Sequence, residues 1–248
     1  KEIYKITLVQ YYLIQQSLLL IPLLCIFQFK HCFMKQIFFI AFLFAGIPSF
    51  CQTTIQRDAE IEKMVKEISS DSLKSYIKSM VAFGTRNTLS TQTNPNRGIG
   101  AARNWVLGKF NEFAKQSDGR LSAFIDTTTL QPDKRRIDTV TLLGNVVATL
   151  KGTDPNDNRI FIISAHLDNM RSSPTERMGD APGANDDASG CAAVIECARI
   201  MSKHNFPATI IFVTVSGEEQ GLLGSAFMSE KAKKENWNIV AVLNNDIM

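Results

Sequence analysis

Three stretches in the second half of the chain are apolar at nearly every position, without the alternation of a strand that has one face in water. They are residues 160–165 (IFIISA), 208–215 (ATIIFVTV) and 239–243 (IVAVL), and they read as strands buried on both faces. Between the first two, residues 188–203 switch to a helical period. Cys191, Val194, Ala198 and Met201 lie on the inward side and Glu196, Arg199 and Lys203 on the outward side. Strand, helix and strand in that order predict a right-handed βαβ unit. Upstream, residues 58–82 give two amphipathic helices that part near Ser69-Ser70-Asp71, with Asp71 as cap of the second. Residues 84–100, rich in Thr, Asn, Pro and Gly, read as a loop, followed by a helix over about 101–115 with Trp105, Val106, Phe110 and Phe113 on its apolar side. Residues 121–130 and 139–150 are β-rich around a charged turn at Pro132-Asp133-Lys134, and 152–158 is a turn. The whole is one α/β domain without internal repeats.

The first 51 residues depart from this pattern. Met34-Lys35 followed by the apolar run 36–47 (QIFFIAFLFAGI) and small residues near Cys51 reads as a secretory signal cleaved after Cys51. The rival reading is a membrane anchor, with residues 11–29 as a first span; the second apolar run is shorter than the ~20 residues a span needs. Residues 1–33 read as an extension upstream of a start at Met34, which leaves 34–51 as signal and 52–248 as the mature portion. Export places the protein in the periplasm or outside the cell. Four of the 27 basic residues and one of the 24 acidic ones lie in the leader, leaving 23 of each beyond it. The net charge of +3 therefore belongs to the leader, and no basic field for nucleic acid is left. Beyond Cys51 only Cys191 and Cys197 remain. Six apart on one helix, they face different ways and cannot bridge.

The chemistry sits where the apolar stretches stop. The first runs into His166-Leu167-Asp168, the second into Ser216-Gly217-Glu218-Glu219 and the third into Asn244-Asn245-Asp246. A fourth acidic group, Asn185-Asp186-Asp187, ends a Gly-containing loop just before the 188–203 helix. Open α/β sheets bind ligands at the carboxyl ends of their strands, so these groups should converge. In an extended segment His166 and Asp168 share a side, and the Asp168 carboxylate can hold the second ring nitrogen. Of the neighbours Glu218 and Glu219, one can ligate a metal while the other faces water as general base. Each feature alone has a plain explanation as a surface pair, a helix cap or an acidic turn; four at matching topological positions do not. Asn185, Asp187, Ser189, Gly190 and Glu196 also match calcium-loop positions, but the continuous helix through residues 191–195 argues against that reading.

The motifs Ala165-His166-Leu167-Asp168, PGANDDASG over 182–190, Glu218 to Ser225 (EEQGLLGS) and Leu243-Asn244-Asn245-Asp246 resemble those of the co-catalytic di-zinc exopeptidases typified by secreted bacterial aminopeptidases. The resemblance is firm over about 140–248 and general over 58–139. It implies a three-layer α/β/α sandwich around a mixed, largely parallel sheet, here incomplete at the C-terminus. It also implies release of N-terminal amino acids from peptides with two zinc ions. His166 and Asp246 would hold one ion, Asp186 would bridge both, Glu219 would hold the second, Glu218 would be the general base, and Asp168 would orient His166. The peptide after the bridging aspartate, Asp186-Asp187, would be cis. The family's second zinc takes a further histidine from a later loop. The other histidine past the leader, His204, reads as a surface residue at the far end of the βαβ unit. The expectation is thus a fragment that binds one metal well and turns over little. Manganese or cobalt could replace zinc. The expected partners are peptides, with no nucleic acid and no membrane after signal removal. Two alternatives are a single-zinc acyltransferase like glutaminyl cyclase and a non-catalytic, peptidase-like binding ectodomain.

Overall fold

The structure is a computed structural model that describes residues 57–248; the signal, anchor and upstream-extension readings fall outside the described residues. In chain order the elements are helices α1 (Ala59–Lys66), α2 (Ser70–Ala82) and α3 (Gly98–Ala114), then strands β1 (Leu121–Leu130), β2 (Thr141–Leu150) and β3 (Arg159–His166). Helix α4 (Ala188–Met201), strand β4 (Thr209–Val215), helix α5 (Leu223–Lys234) and strand β5 (Asn238–Asn244) follow. The sheet order is β1-β2-β4-β3-β5. β2 is antiparallel to both its neighbours, while β3 is parallel to β4 and to β5. Four of the five strands therefore run the same way and β2 alone is reversed, the mixed and largely parallel sheet expected. The β3–α4–β4 segment is the anticipated parallel unit, with His166 opposite Val215. Among the described residues no helix is long and apolar enough to cross a membrane.

Strand side chains alternate between two layers. Val146, Ala148, Leu150, Ile163, Ala165, Ile210 and Phe212 face α2, α3 and α4, whose Tyr76, Met80, Val106, Phe110, Val194 and Ala198 complete the main core. Val147, Ile162, Ile211, Val213 and Val215 face the other way, where Met228 of α5 meets them. Burying a side chain such as Phe212 stabilises by about 1.5–3 kcal/mol, and the first layer contains most such groups.

Several local readings need correction. Ser69, not Asp71, caps α2: its hydroxyl accepts from the Ser72 amide at 3.1 Å, and Asp71 lies inside the first turn. Residues 239–243 form a strand as expected but not a buried one: Ile239, Val240, Val242 and Leu243 are 37–59% exposed. Among the described residues β5 pairs with β3 alone, and its side chains have no covering layer. Glu196 points inward rather than outward, for a reason given below. Helix α5 adds an element where the apolar pattern gave no signal. Cys191 and Cys197 are free thiols, the first buried and the second partly so.

Candidate metal centre

Because β3, β4 and β5 run parallel and adjacent, the residues that follow them leave the same edge of the sheet, and the N-terminus of α4 arrives there too. His166 Nε2 lies 3.0 Å from Asp186 Oδ1 and 3.6 Å from Asp246 Oδ1. The ligand atoms of these three residues all fall within 4.8 Å of one another. The imidazole is buried, whereas Asp186 and Asp246 are about half exposed. A cavity of about 360 Å³ opens beside them, lined by His166, Glu218 and Asp246 and by apolar groups of β3, β4 and α5. Glu219 is not a member of the trio; it reaches the others through the field of its carboxylate.

Main-chain hydrogen bonds hold the cluster in place. Asp187, wholly buried, accepts from the amides of His166 (3.0 Å), Gly190 (2.9 Å) and Ile247 (3.3 Å). One carboxylate thus ties β3, the start of α4 and the tail after β5. Gly190 permits this approach, because a Cβ there would stand 2.4 Å from the Asp187 carboxylate. The Asp186–Asp187 peptide is cis, as the resemblance implied. Asp168, also wholly buried, accepts from the amides of both Glu218 and Glu219 at 3.2 Å and so anchors that turn to the end of β3. Its Oδ1 lies 3.8 Å from His166 Nδ1, within ion-pair reach. The Asp168 backbone carbonyl is nearer, at 3.1 Å from Nδ1. An extended segment brings that carbonyl as near to the ring as the side chain, and the side chain is occupied by two amides. A carbonyl only accepts, so Nδ1 carries a proton and Nε2 faces the two aspartates.

Charge in the cluster is strongly one-sided. Burial alone would lower His166, yet Asp168, Asp187 and Glu218 push it up to about 10. Burial raises Glu219 to about 7, helped by Asp168, Asp186 and Glu218. Burial likewise lifts Asp187 to about 6 and moves Glu218 upward. Even with the imidazole protonated, Asp168, Asp186, Asp187, Glu218, Glu219 and Asp246 leave an excess of acids where Nε2 and two aspartate oxygens meet. A divalent cation would supply the missing positive charge there, and one imidazole nitrogen with carboxylate oxygens is a donor set that zinc accepts. His166, Asp186 and Asp246 fit one ion. The calcium-loop match dissolves: Asp187 caps α4, and Glu196 bonds to Arg199 and the Ser69 amide.

Residues 145–248 match the profile of peptidase family M28. Over this stretch the chain is similar to the M28 peptidases. A protein of Pyrenophora teres f. teres (strain 0-1) named "Probable zinc metalloprotease" is 42% identical over 192 residues, 77% of this chain and 41% of that protein. The chain thus spans about two fifths of that relative's length. Among solved structures, the LapA aminopeptidase of Legionella pneumophila superposes with a TM-score of 0.60 at 24% identity, over 81% of this chain and 49% of that one. Porphyromonas gingivalis glutaminyl cyclase does so with a TM-score of 0.57 at 20% identity, over 73% and 60%. Neighbours named for both chemistries share this fold, and the two likenesses establish the fold alone.

Three features of the site escaped the sequence pattern: the amide clamp made by Asp168, the one made by Asp187, and the burial of Arg86 near them. An aspartate just before a helix signals a cap; nothing local signals the other two.

Proposed function

We propose that this chain carries catalytic elements of a zinc peptidase that removes N-terminal amino acids from peptides. The observation that carries the reading is the meeting of His166 Nε2, Asp186 and Asp246 beside a Glu218–Glu219 turn that Asp168 pins to the same strand edge. Zinc, when bound, would polarise a peptide carbonyl and acidify water. His166, Asp186 and Asp246 would hold one ion, and Glu219 with a shared Asp186 would serve a second. Glu218, whose carboxyl is raised by burial, would take a proton from the attacking water onto a carboxylate oxygen and deliver it to the leaving amine nitrogen. Asp168 would keep that base aimed by holding the amides of the turn. Action at the N-terminal residue rests on the motif resemblance, and export rests on the 34–51 pattern.

Glu218→Gln tests this reading. It should lower hydrolysis of aminoacyl substrates by about 10²–10⁴-fold while zinc remains bound. Turnover within twofold of the parent protein would sink it. A trio that fits one ion also suits single-zinc cyclising acyl transfer. Mass spectrometry of an N-terminal glutamine peptide separates the two: a freed amino acid supports the peptidase, and loss of ammonia with an intact chain supports the cyclase.

A further inference from the structure

Residues 85–90 (TRNTLS) follow α2 without regular structure, and their polar composition reads as a solvated loop. All six are instead buried, none more than 5% exposed. At the centre is Arg86, 1% exposed and within electrostatic reach of Asp168, Asp187 and Asp186. It makes no direct use of that proximity: its influence on Asp168, Asp187 and Asp186 is through space. Every side-chain hydrogen bond it makes goes to a backbone carbonyl. Nε donates to Leu167 O at 2.8 Å, Nη1 to Pro182 O at 3.0 Å and Met80 O at 3.2 Å, and Nη2 to Gly183 O at 2.9 Å. Leu167 stands between His166 and Asp168, and Pro182-Gly183 opens the loop that delivers Asp186. One planar fork therefore spans the chain leaving β3 and the loop bearing the shared carboxylate. Asn169 makes the same connection a second time. Its Oδ1 accepts from the Arg86 amide at 2.9 Å, and its Nδ2 donates to Ala181 O at 2.6 Å.

We propose that Arg86, seconded by Asn169, is a positioning residue of the metal centre: it fixes the separation of His166 from Asp186 by clamping the backbones that carry them. The inference rests on the zinc reading above. Its physical content is that ligand distances must hold within about 0.2 Å, which a half-exposed Asp186 on an irregular loop cannot secure against His166 unaided. A buried guanidinium is suited to the task because it is planar, always charged and offers five donors in fixed directions. A lysine keeps the charge but offers a compact ammonium that cannot reach the three segments together.

The test measures zinc affinity of the whole protein by competition with a chromophoric chelator, and the visible spectrum of its cobalt-substituted form. The proteins are the parent, Arg86→Lys, Asn169→Ala, His166→Ala and Val106→Ala, the last a core lesion away from the site. Arg86→Lys and Asn169→Ala should each lose about 10–100-fold in zinc affinity with an altered cobalt spectrum. Val106→Ala should melt earlier yet bind within twofold of the parent. Parent-like zinc affinity in folded Arg86→Lys overturns the proposal. Should that protein not fold, parent-like affinity in Asn169→Ala does so, and so does an equal loss in Val106→Ala, which would reduce the effect to general stability. If the parent binds no better than His166→Ala, the zinc reading itself falls. If His166→Ala alone loses zinc, only the clamp is refuted.

Discussion

Helix α4 has a histidine and glutamates near one end and a histidine and aspartates at the other, and the two ends handle them in opposite ways. At the C-terminal end Glu196 accepts two bonds from Arg199, at 2.7 and 2.8 Å, and one from the Ser69 amide at 2.8 Å. Arg199 also donates to the Glu67 carbonyl. His204 stands between Glu60 at 3.4 Å and Glu67 at 3.6 Å. Each acid has a basic neighbour, and the network fastens α1 and the start of α2 to α4. At the N-terminal end the acids outnumber the bases. Asp168 and Asp187 use their oxygens on amides, Asp186 and Asp246 face one imidazole, and the nearby guanidinium of Arg86 is engaged with carbonyls. Titratable residues in proximity therefore do not by themselves mark a site. An acid set left short of positive charge marks one, because the missing charge is what a ligand supplies.

Three substitutions put that contrast at risk, in descending order of expected effect. His166→Ala should cost more than about 100-fold in zinc affinity by calorimetric titration, beyond the 10–100-fold typical of groups that only support a ligand. Equal binding by the two proteins would erase the distinction between the ends. Glu196→Gln should lower stability by about 1–3 kcal/mol, the range for removing hydrogen bonds to a charged partner, with zinc affinity unchanged. Burial would raise the Glu196 carboxyl, but the Arg199 hydrogen bonds and the Ser69 amide outweigh it and hold it below the ordinary value of 4.5. Its stabilisation is thus complete above 4.5 and lost as pH falls through the lowered value, so the melting curves of Glu196→Gln and the parent should converge on acidification. Curves that stay parallel would show that the carboxylate is not the cause. His204→Gln should be the mildest, under about 1 kcal/mol in chemical denaturation, since its partners are partly solvated. A larger loss would mean that the far end is more tightly coupled than its distances indicate.

The contrast also accounts for what the chain disclosed unaided. Glu196 was assigned outward by helical period, which is sound for an isolated amphipathic helix. The docking of α1 and α2 over that face converts an outward position into a buried one, 3% exposed. His204 reads as a surface residue from its place at the far end of the βαβ unit; it does lie at the end away from the metal centre but is buried, 9% exposed.

Periodicity and residue type sufficed for the strands, for α4, for the parallel β3–α4–β4 unit and for the edge where His166, Asp186, Glu218, Glu219 and Asp246 gather. Those properties are local: side-chain alternation follows from backbone geometry, and the residues that end a strand leave the sheet at a determined edge. Tertiary structure alone decided that Asp168 clamps the glutamate turn while its backbone holds His166, that β5 lies open, and that Arg86 is buried near the site. The Asp168 clamp and the Arg86 contacts depend on partners far along the chain, 50 and 51 positions away for Glu218 and Glu219 and 81 to 97 for Leu167, Pro182 and Gly183. A hydrogen bond over that distance leaves no trace in the period of either segment, because a polar side chain satisfied by a remote carbonyl has the same letter as one satisfied by water.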